Sequence, residues 1–292
     1  MNVYFNSLFS ATSYAIADLR ARWTHGPLRV IVSQTHHDPY LEAVADHFEI
    51  EPRKLTSDAY VDYILEMCRK HHIDAMVPRR QVNALARERM RFEEAGVKVM
   101  WVGEADTYDL LDDKVATLKD VASSGILPAP DTTLVSDYET FCEAYARIRD
   151  AGDDACLKPN VGIGGAGFKR IVDGRDEIAE AFDDDPRTIG WAHLDRVLAR
   201  AGTFSPFLLS PYLVGAEYSV DCLGRSGELL TAAPRIYVDK HLQRIDERPE
   251  LVAFSRQLTA HYGLSYLYNT QFRQHHGTWH LIEINTRMAQ YE

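Results

Sequence analysis

The sequence predicts a chain of mixed α/β and α+β class: an open α/β layer over residues 1–112, then α+β structure to the end. Three observations predict it. Up to about residue 112, short apolar runs alternate with amphipathic stretches, the pattern of a parallel sheet covered by helices. Residues 156–171 then set a glycine-rich segment between two short strand-like runs. Beyond the acidic turn at Asp183, Asp184 and Asp185 the pattern changes to antiparallel strands, with turns at Gly215, Gly227 and Gly277.

In the first layer, residues 3–5 and 28–32 read as strands and residues 12–23 as the helix between them. Helices are expected over 40–48 and 58–70, the second with Tyr60, Ile64, Leu65 and Cys68 on one face. Residues 73–77 form a buried strand stopped by Pro78, residues 81–94 a helix ended by Gly96, and residues 97–102 a further strand. Ligands of such sheets sit beyond the carboxyl ends of the strands. Two polar clusters fall there, residues 33–38 and Arg79, Arg80 and Gln81. The arginines suit a carboxylate or phosphate, although residues so placed also cap helices or meet solvent.

From Asp112, Asp113 and Lys114 a helix runs to Ser123, its first-turn acids favoured by the helix dipole. Pro128 and Pro130 carry the chain into a strand at 132–135, and Ser136 and Asp137 cap the helix bearing Phe141, Tyr145 and Ile148. After residues 155–158 and the glycines come a helix over 191–199 and strands over 207–213, 217–223 and 229–238. A helix over 249–262 precedes two last strands, 266–273 and 278–285.

The 292 residues can bury a sizeable core, and 46% hydrophobic with 26% charged residues is an ordinary globular profile. A net charge of −11 argues against a nucleic-acid backbone as the main partner, yet a nucleotide needs only a local basic pocket. Cys68, Cys142, Cys156 and Cys222 are scattered, so neither a zinc knuckle nor a disulfide framework is indicated, and a reducing cytoplasmic setting is expected. No run approaches the roughly 18 apolar residues of a membrane helix, and residues 1–13 lack the pattern of a signal peptide, so no membrane partner is expected.

Gly162, Gly164, Gly165 and Gly167 leave a backbone whose N–H groups can turn toward one anion, with Lys158 at its lip. Gly162, Gly164 and Gly167 satisfy a dinucleotide fingerprint, but that fingerprint needs a helix opening inside it, and Phe168 to Val172 reads as a strand. A P-loop fails as well, since no Gly-Lys-Ser/Thr follows. A glycine hairpin closing as a flap over a nucleotide's phosphates fits better; in isolation, a ligand-free surface loop would look the same.

Glu283, Asn285 and Arg287 lie two apart, so an extended strand puts them on one face, with Ile282 and Ile284 on the other. Oxygen ligands beside a cationic fork suit a magnesium-bound polyphosphate. A turn of about three residues centred on Gly277 would set Gln271 opposite Glu283. The competing reading is an exposed strand face with ordinary polar residues.

With these motifs in hand, the chain resembles the ATP-grasp family, in which two α+β lobes hold Mg-ATP between them and most members are carboxylate-amine ligases. The resembling residues are Asp113 and Lys114; Lys158 and Pro159 with the glycines 162–167; Ser210 to Leu213; Gly215 with Glu217 and Asp221; Gln271; and Glu283, Asn285 and Arg287. The last strands are similar to those of carbamoyl phosphate synthetase domains. The resemblance covers the whole chain and implies three domains: a preceding α/β domain over 1–112, a lobe with the glycine flap over 113–209, and a lobe with the metal site over 210–292. It implies that Lys114, Lys158 and the flap glycines contact ATP phosphates, that backbone around Pro211, Tyr212 and Leu213 meets the adenine edge, and that Glu217 faces the ribose or phosphates. Gln271, Glu283 and Asn285 would hold magnesium, with manganese as an alternative. Arg287, and Arg235 with it, would stabilise the phosphoryl group or acyl phosphate.

Two departures stand out: Ser210 where many members carry Glu, and Gln271 in place of an acid. The family also continues for tens of residues past this point, whereas the sequence stops at Glu292, as a truncated product would, so acceptor contacts normally placed there would be missing or arranged differently. The implied activity is an ADP-forming ligase that joins a small-molecule carboxylate and an amine through an acyl phosphate. The alternative is an impaired ATP-binding regulatory or partner-binding module; a nicotinamide-dependent dehydrogenase is a remote third. Dimers are common in the family, but no residue here displays an interface.

Overall fold

The computed structural model describes residues 1–160, 167–176, 178, 180, 182, 187–238 and 242–287. The first sheet is formed by β1 (Asn2–Asn6), β2 (Arg29–Gln34), β3 (His47–Ile50), β4 (Ala75–Val77) and β5 (Lys98–Val99), in the order β3-β2-β1-β4-β5. Every pairing in it is parallel. Helices α1 (Thr12–Arg22), α2 (Pro39–Val44), α3 (Ser57–Lys70), α4 (Val82–Arg87) and α5 (Arg89–Glu94) connect these strands. Val30, Ile31 and Val32 are fully buried, because crossover helices cover both faces of a parallel sheet.

Two readings of this layer need correction. The helix expected over 40–48 stops at Val44, and residues 47–50 join the sheet edge as β3. The Asp46 carboxylate accepts the Val30 N–H at 2.7 Å, a tertiary contact that pulls the chain into pairing and outweighs helical continuation. The helix expected over 81–94 is broken at Glu88. On α4, Val82 and Ala86 pack into the core of the third sheet and Leu85 into that of the first, where Phe92 of α5 also packs.

Helices α6 (Ala105–Asp112) and α7 (Lys114–Ser123) follow; α6 was not foreseen. The second sheet has the order β6-β10-β7-β8-β9, from β6 (Thr133–Asp137), β7 (Ala155–Lys158), β8 (Lys169–Val172), β9 (Thr188–Gly190) and β10 (Thr203–Pro211). Helices α8 (Tyr138–Asp150) and α9 (Trp191–Ala201) cover it, with Tyr145 and Trp191 stacked at 4.0 Å. β7 and β8 pair antiparallel, Leu157 opposite Lys169, so the glycine segment joins two hairpin strands as expected.

The third sheet is β13-β12-β11-β14-β15, from β11 (Glu217–Arg225), β12 (Glu228–Tyr237), β13 (Gln243–Ile245), β14 (Tyr266–His275) and β15 (Thr278–Asn285), all antiparallel. One face carries Tyr218, Val220, Cys222, Tyr268, Phe272, Leu281 and Ile284 into a core with α6, α7 and α10 (Pro249–Tyr262). Alternation along the strands then turns Glu217, Ser219, Asp221, Asn269, Gln271 and Arg273 to the other face.

The β14–β15 turn is a two-residue loop, His276 and Gly277, both at positive φ (47° and 80°), with His275 opposite Thr278. Two residues alone would have misaligned the far end of the hairpin. A β-bulge between Gln271 and Phe272 restores Gln271 opposite Glu283. The bulge also changes the inward partner of Ile284: Leu281 shares the core with it, rather than Ile282.

Candidate active site

Lys114 is the first residue of α7, whose N-terminus is fixed by the Asp113 side chain accepting from Ala116 N at 2.9 Å. Asn160, beside the glycine segment, ties the same turn down: its side-chain oxygen accepts from Val115 N at 3.1 Å. Leu118 and Val121 seat α7 in the core of the third sheet, so the Lys114 ammonium comes within 3.7 Å of Glu283 on β15. Asn285 donates its amide N–H to the other Glu283 oxygen at 2.9 Å, leaving its own carbonyl oxygen on the same face. Asp112, Lys114, Glu283, Asn285 and Arg287 line one small cleft.

Lys158 ends β7 in the second sheet, yet the charges of Lys114, Glu283 and Glu217 act on its ammonium. Burial holds its pKa below the ordinary lysine value of 10.5. Four of the foreseen residues, Lys114, Lys158, Glu283 and Asn285, thus converge between the second and third sheets. Across the third sheet, Arg235, Ser219, Gln271 and Glu283 stand side by side in one row.

The chain passes between these sheets through residues 212–216. Tyr212 donates its N–H to Asp154 O at 2.7 Å, and its ring lies under two guanidinium groups, Arg170 of the second sheet at 4.5 Å and Arg273 of the third at 5.7 Å. Arg273 also donates to Leu213 O at 3.1 Å and to Glu217 at 2.7 Å, so the foreseen Glu217 is held by an ion pair at the crossing. The Pro211 carbonyl accepts the Ser210 hydroxyl at 3.1 Å. Gly215 is pressed against β14: an added Cβ would lie 2.5 Å from Gln274 O. Gly215→Ala is therefore expected to cost about 1–3 kcal/mol and to lower the thermal midpoint by roughly 2–10 °C; an unchanged midpoint would show that the crossing gives way freely.

Gly167 is the foreseen flap glycine within the described residues; Gly162, Gly164 and Gly165 lie outside them. At Gly167, with φ +77°, a Cβ would meet the Pro159 ring at 2.9 Å. The Arg235 guanidinium is buried and forms a two-pronged contact with Asp221, at 2.7 and 3.0 Å, and Asn269 donates to the same carboxylate at 2.9 Å. The sequence places Asn269 in the Asn-Thr-Gln271-Phe motif without assigning it a role, and Arg273 was missed. Both lie two residues from Gln271 on β14, so the period of the strand places them on its face.

At the carboxyl ends of β1, β2 and β4 the two early arginines part company. Arg80 pairs with the buried Glu51 at 2.8 Å, together with Ser33 and Tyr60. Arg79 stacks on Phe9 at 4.5 Å, and burial, with the positive charge of Arg287 nearby, brings its pKa down to about 10. Arg287 lines the cleft with Glu283 and Asn285, and its charge is felt at Arg79; cations of this kind suit a carboxylate or phosphate.

A parallel α/β layer followed by two sheets between which Lys114, Lys158, Glu283 and Asn285 converge is the architecture of the ATP-grasp fold. The solved structures agree. N5-carboxyaminoimidazole ribonucleotide synthetase in its ADP complex superposes with a TM-score of 0.67 at 16% identity, over 99% of this chain and 71% of that one. N5-carboxyaminoimidazole synthetase from Staphylococcus aureus gives 0.66 at 13%, over 99% and 71%. L-amino acid ligase from Bacillus licheniformis gives 0.63 at 13%, over 98% and 66%. Residues 203–289 match the family described as ATP-grasp in the biosynthetic pathway with Ter operon. No curated protein matches the sequence. The chain has the ATP-grasp fold. Among the described residues no helix is long and apolar enough to cross a membrane.

Proposed function

We propose that this chain is an ADP-forming ligase that joins a small-molecule carboxylate to an amine. The observation that carries this reading is the convergence of Lys158 from the second sheet and Lys114 from α7 on Glu283 and Asn285 of the third. Solved neighbours of the same fold include a carboxyaminoimidazole synthetase and an amino acid ligase, which favours a carboxylate-activating reaction over simple nucleotide storage.

Glu283, Asn285 and Gln271 offer hard oxygen ligands on one face, which fits magnesium, or manganese in its place. When bound, the cation would neutralise charge on the β- and γ-phosphates. Lys114 and Lys158 would hold the phosphate oxygens, and the 211–213 crossing would meet the adenine edge. Arg79 and Arg287 would orient the substrate carboxylate. A carboxylate oxygen attacks the γ-phosphorus and ADP leaves; the amine then attacks the acyl carbon, phosphate leaves, and the amine gives up a proton. The chemistry needs alignment and charge neutralisation more than covalent help, and one such contact is worth about 3 kcal/mol in the transition state. Closing the glycine flap would keep water from the acyl phosphate.

Incubation with ATP, magnesium and a panel of amino acids, with hydroxylamine added to trap acyl phosphate as hydroxamate, tests this directly. Substrate-dependent ADP with matching hydroxamate is expected. The neutral Gln271 favours a second reading, a nucleotide-binding module, for which ATP would bind without ADP or hydroxamate appearing.

A further inference from the structure

Far from the Glu283 cleft, the turn after α8 meets the tip of the β14–β15 hairpin. There Asp153 of the second-sheet lobe faces two consecutive histidines of the third sheet. His276 Nε2 lies 2.9 Å from one Asp153 oxygen and His275 Nε2 lies 3.1 Å from the other. The left-handed backbone at His276 brings consecutive side chains, which would alternate on a regular strand, to one side, their rings 4.0 Å apart.

His275 is the informative member. It is only 8% exposed, and neither ring nitrogen makes a hydrogen bond with another described residue, although Nε2 sits 3.1 Å from a carboxylate oxygen. A buried imidazole in that position would ordinarily turn its N–H onto the oxygen. Instead both ring nitrogens fall outside hydrogen-bond geometry with the described residues, while Nε2 stays beside the Asp153 carboxylate. The three ligand atoms lie within 4.8 Å of one another, and the two nitrogen–oxygen spacings approach the edge of about 3.3 Å expected for a tetrahedron with zinc–ligand bonds near 2.0 Å.

We propose that Asp153, His275 and His276 bind a divalent transition-metal cation of the zinc class, clamping the two ATP-grasp lobes together on the crossing side. Two imidazoles and a carboxylate are the ligand set such a cation prefers, and the exposed side of His276 leaves a position for water. Among the described residues no lysine or arginine pairs with Asp153, whereas its neighbour Asp154 is engaged by Arg149 and Arg170. A second His-Glu group, His47, Glu49 and His71, is different: the Lys70 ammonium already sits 2.9 Å from Glu49 and supplies the positive charge there. Because Asp154 O also receives the Tyr212 N–H, and Gln274 O the Gly215 N–H, an ion here would stiffen both anchors of the 212–216 crossing.

The test is a titration of chelator-treated full-length protein with Co²⁺ followed by visible absorption, and with Zn²⁺ followed by calorimetry. The wild type, His276→Ala, Asp153→Asn, His71→Ala and Glu283→Gln are compared. One equivalent bound with the intense absorption of tetrahedral cobalt is expected, retained in His71→Ala and Glu283→Gln. Affinity should fall at least about 100-fold in both His276→Ala and Asp153→Asn. Zn²⁺ should raise the thermal midpoint of the wild type and not of His276→Ala, an exposed position whose loss leaves the metal-free fold intact. No bound equivalent, or an equivalent that persists in either His276→Ala or Asp153→Asn, overturns the proposal.

Discussion

Glu283→Gln is expected to lower ATP turnover by about 10²–10³-fold, the cost of losing one aligned charge at a phosphoryl-transfer centre. The substitution keeps the shape of the side chain and its hydrogen bond from Asn285, so the fold should be unchanged. What it removes is the negative charge that faces Lys114 at 3.7 Å and stands opposite Gln271. With Gln271 already neutral, Glu283 is the sole foreseen metal ligand with a formal charge, and magnesium dependence should shift to much higher concentration. Steady-state assays over a magnesium series check this; turnover at the wild-type level would show that the cation is held elsewhere.

Lys158→Met is expected to weaken ATP binding and lower turnover by about 10²-fold, since an aligned cation is worth roughly 3 kcal/mol. Its pH behaviour gives a sharper test. Burial, before any neighbouring charge, lowers the Lys158 pKa below 10.5 in the folded protein, so over the window between that lowered value and 10.5 the unfolded chain binds more protons than the folded one. Stability of the nucleotide-free protein therefore rises with pH across that window, whereas affinity for ATP falls because the ammonium is lost. Lys158→Arg, which stays charged, should move the alkaline fall in affinity to higher pH. Calorimetric ATP titrations over an alkaline series decide it; identical profiles for lysine and arginine would remove Lys158 from the phosphates.

Much of this arrangement could be read from the chain before its structure, for identifiable reasons. The glycine hairpin was legible because a strand, and not a helix, follows Gly167. The Gln271–Glu283 pairing was legible from strand period and the Gly277 turn. The route differed, though: a shorter turn and a bulge replace one longer turn, since bulges answer to packing on the far face, where Leu281 and Ile284 fill the core. Residues 47–50 were misread because the contact of Asp46 with Val30 is invisible to local pattern. The break at Glu88 has no local breaker residue to announce it, since neither glycine nor proline stands there. Arg79 and Arg80 look equivalent in sequence; only burial and the partner Glu51 separate them. The Asp153 cluster was illegible because its members are more than a hundred residues apart and meet only when the lobes do.

The most direct test of the clamp is a crystal soaked with a non-hydrolysable ATP analogue, magnesium and candidate amino acids. The account predicts triphosphate density between Lys158 and Glu283, magnesium on Glu283 and Asn285, adenine at residues 211–213, and a carboxylate beside Arg79 and Arg287. Nucleotide density anywhere else, with the Lys158–Glu283 cleft empty, would contradict it.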